Sequence, residues 1–599
     1  MALIYVVVLA APLMRDPACT SVKTKVDCGY VGIDQSGCEA KGCCWVPSSN
    51  GDPWCFDKPS PGPSPGPSPG PSPGPSPSPS PPVSPTTSAI VQLFEWRWSD
   101  VAAECCDFLG PHGVDAVQIS PPMEQITADQ WWASYQPVSY KIGNHLGDEA
   151  AFLQMVQTCR KCGVGIVVDA VISNERGVQT SGSLRVPTHY SYACAPLWTD
   201  HMAAGSGSGT SGSSFSARTF PGTYSPNDFH HNSGDTSSNC VISNYQDKWN
   251  VQHCDLVGLP DLDSGADYTR RTIGAYLTGL TAVGVSGFRV DAAKHQDASE
   301  LGAILAAGNT SHLEVYQEVI GAPGEAVQPS EYVGNGRVTE FGYSYQLADK
   351  VRASDLAGLH GLGGGLLPSD KALVFTDNHD SQRASSALDA MGPRGSPLGS
   401  PLGNPLAHRG LSVEALRFAS GVLTYKDGAS YAVANAFMLA WPYGRVRLMS
   451  SYYFTDHDAG APSTPVHDGQ GNVACGDGHP WVCEHRWPAI AGMVGWRRAA
   501  GSEDVGNWQQ SGSGRVAFSR GRLAFVAFSA LSAGTWSATL QTMLPAGTYC
   551  DVAADDACKN TVVVGADGTA SILVGSSGSN VVALHVNATA RFTTAVSSA

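Results

Sequence analysis

Asp291, Glu318 and Asp380 close three short apolar runs, Gly-Phe-Arg-Val-Asp (287–291), Val-Tyr-Gln-Glu-Val-Ile (315–320) and Val-Phe-Thr-Asp-Asn-His-Asp (374–380). Carboxyl groups at the ends of successive strands can combine into one acid/base site. Acetal hydrolysis needs two of them in unlike surroundings: one delivers a proton to the leaving oxygen, the other sets negative charge against the oxocarbenium-like centre. Arg289 lies two residues before Asp291, so on a strand both side chains share one face. Its guanidinium keeps Asp291 ionised, whereas a proton donor at Glu318 requires apolar or anionic surroundings. A solvated or arginine-paired carboxylate is the plain alternative for any single member; three together favour a common site.

Groups meeting in this way need strand ends gathered around one opening. Short apolar runs at 90–96, 116–120, 165–172, 287–291, 315–320, 338–343, 373–377 and 447–453 alternate with helix-like segments. This predicts an α/β chain whose eight strands close into a (β/α)8 barrel. The stretch from the third strand to Asp261 is too long for a simple connection, and residues 205–214 read as a mobile loop within it. From residue 501 to 599, short alternating runs with Gly/Asp turns predict an antiparallel β-sandwich.

The chain has 599 residues, 42% of them hydrophobic, enough to bury a large core split among domains. Its formal charge of -16 repels phosphate backbones, so no nucleic-acid partner is expected, while a neutral substrate is tolerated. No apolar run reaches the length of a membrane span, and the apolar start, 1–18, has the length of a secretory signal. A secreted, extracellular protein is expected, in which Asn309-Thr310-Ser311 and Asn587-Ala588-Thr589 are glycosylation sequons. Monomer is the default, since no oligomer signal is present.

Seventeen cysteines agree with an oxidising compartment. Six of them fall between Cys19 and Cys55, a segment too short to build its own core without disulfides. Residues 59–88 repeat Pro-Gly-Pro-Ser and Pro-Ser, a composition for polyproline II and a semi-rigid spacer. Cys159-Arg160-Lys161-Cys162 lacks the second Cys-x-x-Cys of a zinc site, and Cys105-Cys106 offers it partners. A structural bridge such as Cys106 with Cys162 is therefore favoured over redox or metal chemistry, and Cys194 is left without an assigned partner.

Four further stretches, Leu-Phe-Glu-Trp-Arg-Trp (93–98), Trp131-Trp132 with Tyr135-Gln136-Pro137-Val138-Ser139-Tyr140, Gly-Asn-Gly-Arg-Val-Thr-Glu-Phe (334–341) and Trp-Val-Cys-Glu-His-Arg-Trp (481–487), extend the pattern in order. Together these motifs resemble the alpha-amylases, and within them the chloride-dependent animal-type branch, over residues 89 to 586. The resemblance implies a TIM barrel at 89–173 and 262–500, an inserted excursion domain after strand 3 at 174–261, and endo-acting, retaining hydrolysis of internal alpha-1,4-glucosidic bonds in starch or glycogen. It also implies the pairs Cys105–Cys159, Cys240–Cys254, Cys475–Cys483 and Cys550–Cys558. The six early cysteines with Gly42-Cys43-Cys44-Trp45 resemble a trefoil (P-type) module at 19–58, which implies Cys19–Cys44, Cys28–Cys43 and Cys38–Cys55 and a glycan or mucin-like ligand.

By the same resemblance Asp291 is the nucleophile, Glu318 the general acid and then base, and Asp380 the group that grips sugar hydroxyls. Trp131, Trp132 and Tyr135 offer faces for glucose rings, Gln136 a hydroxyl contact, and His379 a hydrogen bond in the cleaving subsite. Lys294 and His295 fall on the reducing side, and Arg289 belongs to the same cleft. Arg289, Asn378 and Arg447 match a chloride site, an anion that would hold Glu318 protonated near neutral pH. Asp261 with the carbonyls of Gln252 and His295 matches a calcium site. The family's Asn-His pair reads Ser173-Asn174 here, so either serine is a weaker ligand or Asn174 takes its place. A family histidine shortly after Asp380 is Ser385, and Gly392 to Gly410 is Pro-Leu-Gly-rich, which alters the reducing side of the cleft. A related glucan hydrolase or transglycosylase with an altered cleft, and a catalytically weakened polysaccharide-binding protein, are the alternatives.

Overall fold

The computed structural model describes residues 35, 38, 43–46, 55–56, 88–172, 206–216, 218–232, 235–256, 259–383, 421–575 and 579–590. Two compact units divide the chain, residues 1–81 and 82–599. In the first, Cys44–Trp45 pairs antiparallel with Cys55–Phe56, and Cys38 is bridged to Cys55. Cys19 and Cys28, and with them the other two expected trefoil pairs, lie outside the described residues, as do Cys194 and the linker up to residue 87.

The second unit is built on eight parallel strands that close on themselves: β1 Ala89–Leu93, β2 Ala116–Ile119, β3 Gly165–Ala170, β4 Gly287–Val290, β5 Glu314–Gln317, β6 Arg337–Thr339, β7 Ala372–Val374 and β8 Arg445–Ser450. Alternation of side chains divides each strand between two destinations. Val91, Val117, Val168, Phe288, Val338 and Val446 face the surrounding helices, in the main core. Ile90, Val167, Tyr316, Leu373 and Phe375 fill the barrel interior. The ladder ends one to four residues earlier than the apolar runs suggest. Beyond it the chain must turn: Glu95 follows β1 with φ 62° and Ala292 follows β4 with φ 41°, so the last residues of each run belong to the loops.

Helices α1 Trp98–Glu104 and α2 Glu149–Lys161 cover the β1–β3 side. In α2 the buried residues Phe152, Met155, Val156 and Cys159 recur at helical spacing, Asp148 caps the start by accepting from Ala151 N, and Arg160 and Lys161 close the last turn. Cys105 and Cys106, just past α1, are bridged to Cys159 and Cys162, which assigns the pair left open by the sequence. Further round lie α3 Asp267–Ala282, α4 Ala298–Ala307, α5 Phe341–Arg352, α6 Ala429–Ala440 and α7 Pro488–Ala500.

The excursion has a core of its own, with Phe215, Phe220, Tyr224, Phe229 and Leu262, and it draws in Ile126, Ala133 and Val138 from the loop after β2. It is thus assembled from two barrel connections rather than from residues 174–261 alone. The expected mobile loop at 205–214 contains part of an antiparallel hairpin, Gly207–Ser208 against Ser214–Phe215. Glu124 fastens it by accepting from the backbone of Ser211 and Ser213, which glycine-rich composition does not reveal. Cys240–Cys254 closes a later segment. After α7, two four-stranded antiparallel sheets form the C-terminal layer, carrying Cys550–Cys558. Cys475–Cys483 lies in the connection after β8.

Candidate active site

Neighbouring barrel strands bring the acidic residues together. Register pairs Arg289 of β4 with Asp169 of β3 on one side and with Tyr316 of β5 on the other. Arg289 Nη1 donates to Asp169 Oδ1 at 2.6 Å and to Asp291 Oδ1, while Nη2 lies 2.8 Å from Glu318 Oε2. Glu318 Oε2 also accepts from Ala292 N at 3.2 Å. Arg289, Asp169, Asp291 and Glu318 are all buried. A buried charge of either sign is costly alone, so the guanidinium and its carboxylates stabilise one another as a cluster. Asp291 Oδ2 nevertheless accepts no hydrogen bond from the described residues. Glu318 was expected in apolar or anionic surroundings. The structure puts a cation on one side of it, because the strand register that aims Arg289 at Asp169 also brings its second nitrogen to β5.

Asp380 and His379 stand on the turn after β7. His379 Nε2 lies 3.2 Å from Asp380 Oδ2, and Nδ1 is 3.1 Å from Gln92 Nε2. Burial, then Arg289, Arg383 and Arg447, hold the imidazole well below its usual pKa. A neutral ring that accepts from Gln92 at Nδ1 carries its proton on Nε2, toward Asp380. Burial, then Glu318, pushes Asp380 well above the usual carboxylate range. Asp380 Oδ1 has no hydrogen-bond partner among the described residues.

Aromatic rings wall the cluster. Tyr135 donates to Asp169 Oδ2 at 3.0 Å and stacks on His379 at 5.1 Å, with Phe94 on His379 at 4.8 Å. Trp131 is turned into the packing of this wall. It is 1% exposed, Arg383 lies over its ring at 4.7 Å, and its N–H goes to His457 O. It packs because Arg383 requires a lining of rings: Phe94, Tyr452 and Phe454 complete the enclosure. Trp132 is only partly buried, between the main and excursion cores. Gln136 Oε1 is buried without a partner among the described residues. On the turn after β4, Lys294 Nζ meets Glu325 Oε2 at 2.5 Å and lies 4.8 Å from the Tyr245 ring. His295 Nδ1 faces Val251 O at 3.0 Å, and burial pushes its pKa down to about 4.

Comparison with known proteins then places the chain. Residues 19–58 match the trefoil (P-type) domain, and residues 507–587 match the alpha amylase C-terminal all-beta domain. An alpha-amylase of Tenebrio molitor is 39% identical over 534 residues, covering 84% of this chain and 98% of the beetle protein. One from Streptomyces violaceus is 40% identical over 501 residues, covering 83% of this chain and 74% of its own. The crystal structure of alpha-amylase I from Eisenia fetida superposes with a TM-score of 0.68 at 35% identity, over 83% of this chain and 97% of that one. The chain belongs to the alpha-amylase family.

Among alpha-amylase residues that the sequence reading passed over, Asp169 is the foremost. It sits in Val-Val-Asp-Ala, and its proximity to Arg289 emerges only from the β3–β4 register. Arg383, Tyr245 and Glu325 were likewise missed, since each gains its setting from segments distant in the chain.

The residues matched to ions can be tested for fit. Arg447 is buried, donates through Nη1 to Gln118 Oε1 at 3.0 Å, and has no partner for Nη2 among the described residues. No carboxylate pairs with it among the described residues, so a buried N–H remains for an anion. Asn378 Nδ2 is turned toward Asp380 Oδ2 at 3.4 Å. The donor set fits chloride at Arg447 and less completely at Asn378. For calcium, Asp261 is buried and its pKa is raised to about 7 by burial, with His230 opposing at 2.8 Å. The helix Lys248–His253, carrying the Gln252 carbonyl, packs on the turn carrying the His295 carbonyl. Carboxylate and carbonyl oxygens suit a hard cation. Ser173 and Asn174 lie outside the described residues, as do Ser385 and the 392–410 stretch.

Proposed function

We infer that this protein is a secreted endo-acting alpha-amylase that hydrolyses internal alpha-1,4-glucosidic bonds of starch and glycogen with retention. The observation carrying the residue roles is a pair of buried carboxylate oxygens, Asp291 Oδ2 and Asp380 Oδ1, that have no donor among the described residues. Unpaired buried acceptors are costly, and a bound sugar relieves both. Arg289 holds Asp291 Oδ1, so Oδ2 is the atom left to attack the anomeric carbon and form the covalent glycosyl-enzyme. Glu318, anchored through Oε2 by Ala292 N and Arg289, gives a proton to the departing glycosidic oxygen. It then takes one from the water that opens the ester. Asp380 and the Nε2–H of His379 grip sugar hydroxyls, Gln136 Oε1 takes another, and Trp132 supplies an aromatic edge. Lys294, His295 and Tyr245 extend the cleft on the reducing side.

Chloride beside Arg447, with Arg289 and Asn378, would supply a fixed negative charge near the acid. Calcium held by Asp261, the Gln252 and His295 carbonyls and one of Ser173 or Asn174 would tie the excursion to the barrel. Six disulfides among the described residues support an oxidising, extracellular setting. No described helix is long and apolar enough to cross a membrane. The trefoil module is read as a binder of glycans or mucin-like partners held on a proline-rich tether.

The deciding assay is release of reducing ends from soluble starch by the wild type and by Glu318→Gln. The variant should lose about a hundredfold or more in kcat with little change in starch binding. Activity within a few-fold of wild type would remove Glu318 from its role.

A further inference from the structure

Beside the catalytic strand ends lies a second carboxyl pair that the mechanism does not use. Asp377 stands three residues before Asp380, and Glu484 opens the turn Glu484–Arg486 after β8; both are buried. Gln382 lies between them, its Nε2 donating to Asp377 Oδ2 at 2.7 Å and to Glu484 Oε1 at 3.4 Å. Tyr431 of α6 donates to Asp377 Oδ1 at 2.7 Å. Ser451 N donates to Glu484 Oε2 at 2.7 Å, and Ser451 Oγ bonds Oε1.

Among the described residues no cation pairs with either acid. Arg447, from β8, acts on Asp377 only through space, as Tyr425 and Tyr453 feel Glu484. Arg383 turns to its aromatic enclosure, and His485 turns away to Glu104. Two carboxylates sharing one amide donor in a buried setting repel each other, and neither is solvated. Burial, then Glu484, pushes Asp377 well above the usual carboxylate range, and burial pushes Glu484 up to about 7.

The same amide belongs to the segment that carries the substrate-gripping groups. Gln382 N donates to Asn378 O at 3.0 Å, Ser381 N to Asn378 Oδ1 at 2.8 Å, and Arg383 Nη1 to His379 O at 2.9 Å. We propose that Asp377 and Glu484 are positioning residues that hold one proton between them and, through Gln382, fix the turn bearing His379 and Asp380. On Glu484 Oε1 the proton can be donated to Ser451 Oγ, which leaves the Gln382 amide to Asp377. Loss of that proton puts two like charges on one amide and loosens the turn. The consequence for turnover rests on the alpha-amylase reading; the shared proton does not.

Two variants separate shape from charge: Glu484→Gln keeps the uncharged form, and Glu484→Ala removes it. A carboxyl raised from 4.5 to about 7 by folding leaves the native state holding more protons than the unfolded chain across that window. Wild-type stability therefore falls as pH rises through it. In saturating chloride, the Tm of Glu484→Gln minus that of wild type should rise between about pH 5 and about pH 8. Its kcat on soluble starch near pH 6 should stay within about threefold of wild type, whereas Glu484→Ala should lose about tenfold or more in kcat with KM nearly unchanged. Asp377→Asn should reproduce the Tm trend, which keeps the test open if Glu484→Ala fails to fold. A Tm difference independent of pH in both conservative variants overturns the shared proton, and full kcat in Glu484→Ala overturns the positioning role. A wild type inactive on starch whose Tm difference still rises with pH would refute the hydrolase reading and leave the carboxyl pair standing.

Discussion

Asp169 faces Arg289 directly across the β3–β4 ladder and receives its Nη1 at 2.6 Å. That contact fixes which way the guanidinium points, and so which oxygen of Asp291 it covers. Asp169→Asn should let Arg289 swing toward Asp291 and Glu318 and lower kcat by about tenfold or more. Steady-state kinetics on soluble starch checks this. Wild-type kcat in the variant would mean that Asp169 only balances buried charge.

Arg447 presents a buried Nη2 with no partner among the described residues. Withdrawing chloride should lower turnover of the wild type and leave Arg447→Ala indifferent. Halide titration of both, from trace to saturating levels, provides the measurement, and a wild type with no halide response counts against the site.

Cys105–Cys159 and Cys106–Cys162 span 54 and 56 residues and close nearly the same loop. Once one bridge exists, the second removes little further freedom from the unfolded chain. Replacing either pair by serines should shift Tm only slightly, whereas replacing both should cost about 4 kcal/mol, the loop-entropy scale for such a span. Denaturant unfolding of the two single-pair variants and the combined one tests this non-additivity.

Asp261 is the one carboxylate proposed for calcium. A chelator should lower the Tm of the wild type, and Asp261→Asn should lose that response. A serine hydroxyl is the poorer calcium ligand, so Ser173→Asn with Asn174→His should make the metal harder to strip and raise turnover. If the double variant lowers both, the native pair is a compensated local arrangement.

Much of the architecture was legible because alternation and apolar runs report on strands directly. All eight barrel strands fall within or beside the predicted runs. Their ends were overrun, since an apolar residue such as Val319 is as much at home in a buried loop as in a ladder. Asp291, Glu318 and Asp380 were visible as acids where apolar runs stop. Asp169 was not, because a lone aspartate in a strand gains meaning only from the residue beside it in register. Arg383 shows the same limit: its rings come from residues 94, 131, 452 and 454. The hairpin within the excursion depends on Glu124, more than eighty residues earlier, which local composition cannot report.

Glu104, on α1, is fully buried and bonds His467, His485 and Arg486, while β8 pairs with β1. The oldest part of the barrel to leave a ribosome therefore waits for nearly its youngest. Until β8 has emerged, β1 and β7 remain bare edges able to pair with other chains, and until residue 486 follows, Glu104 is a buried-type carboxylate without its full set of partners. Closure is a late event in synthesis. Truncation shortly before residue 486 should yield an aggregating chain rather than a smaller working enzyme, with consequences for how this protein is expressed.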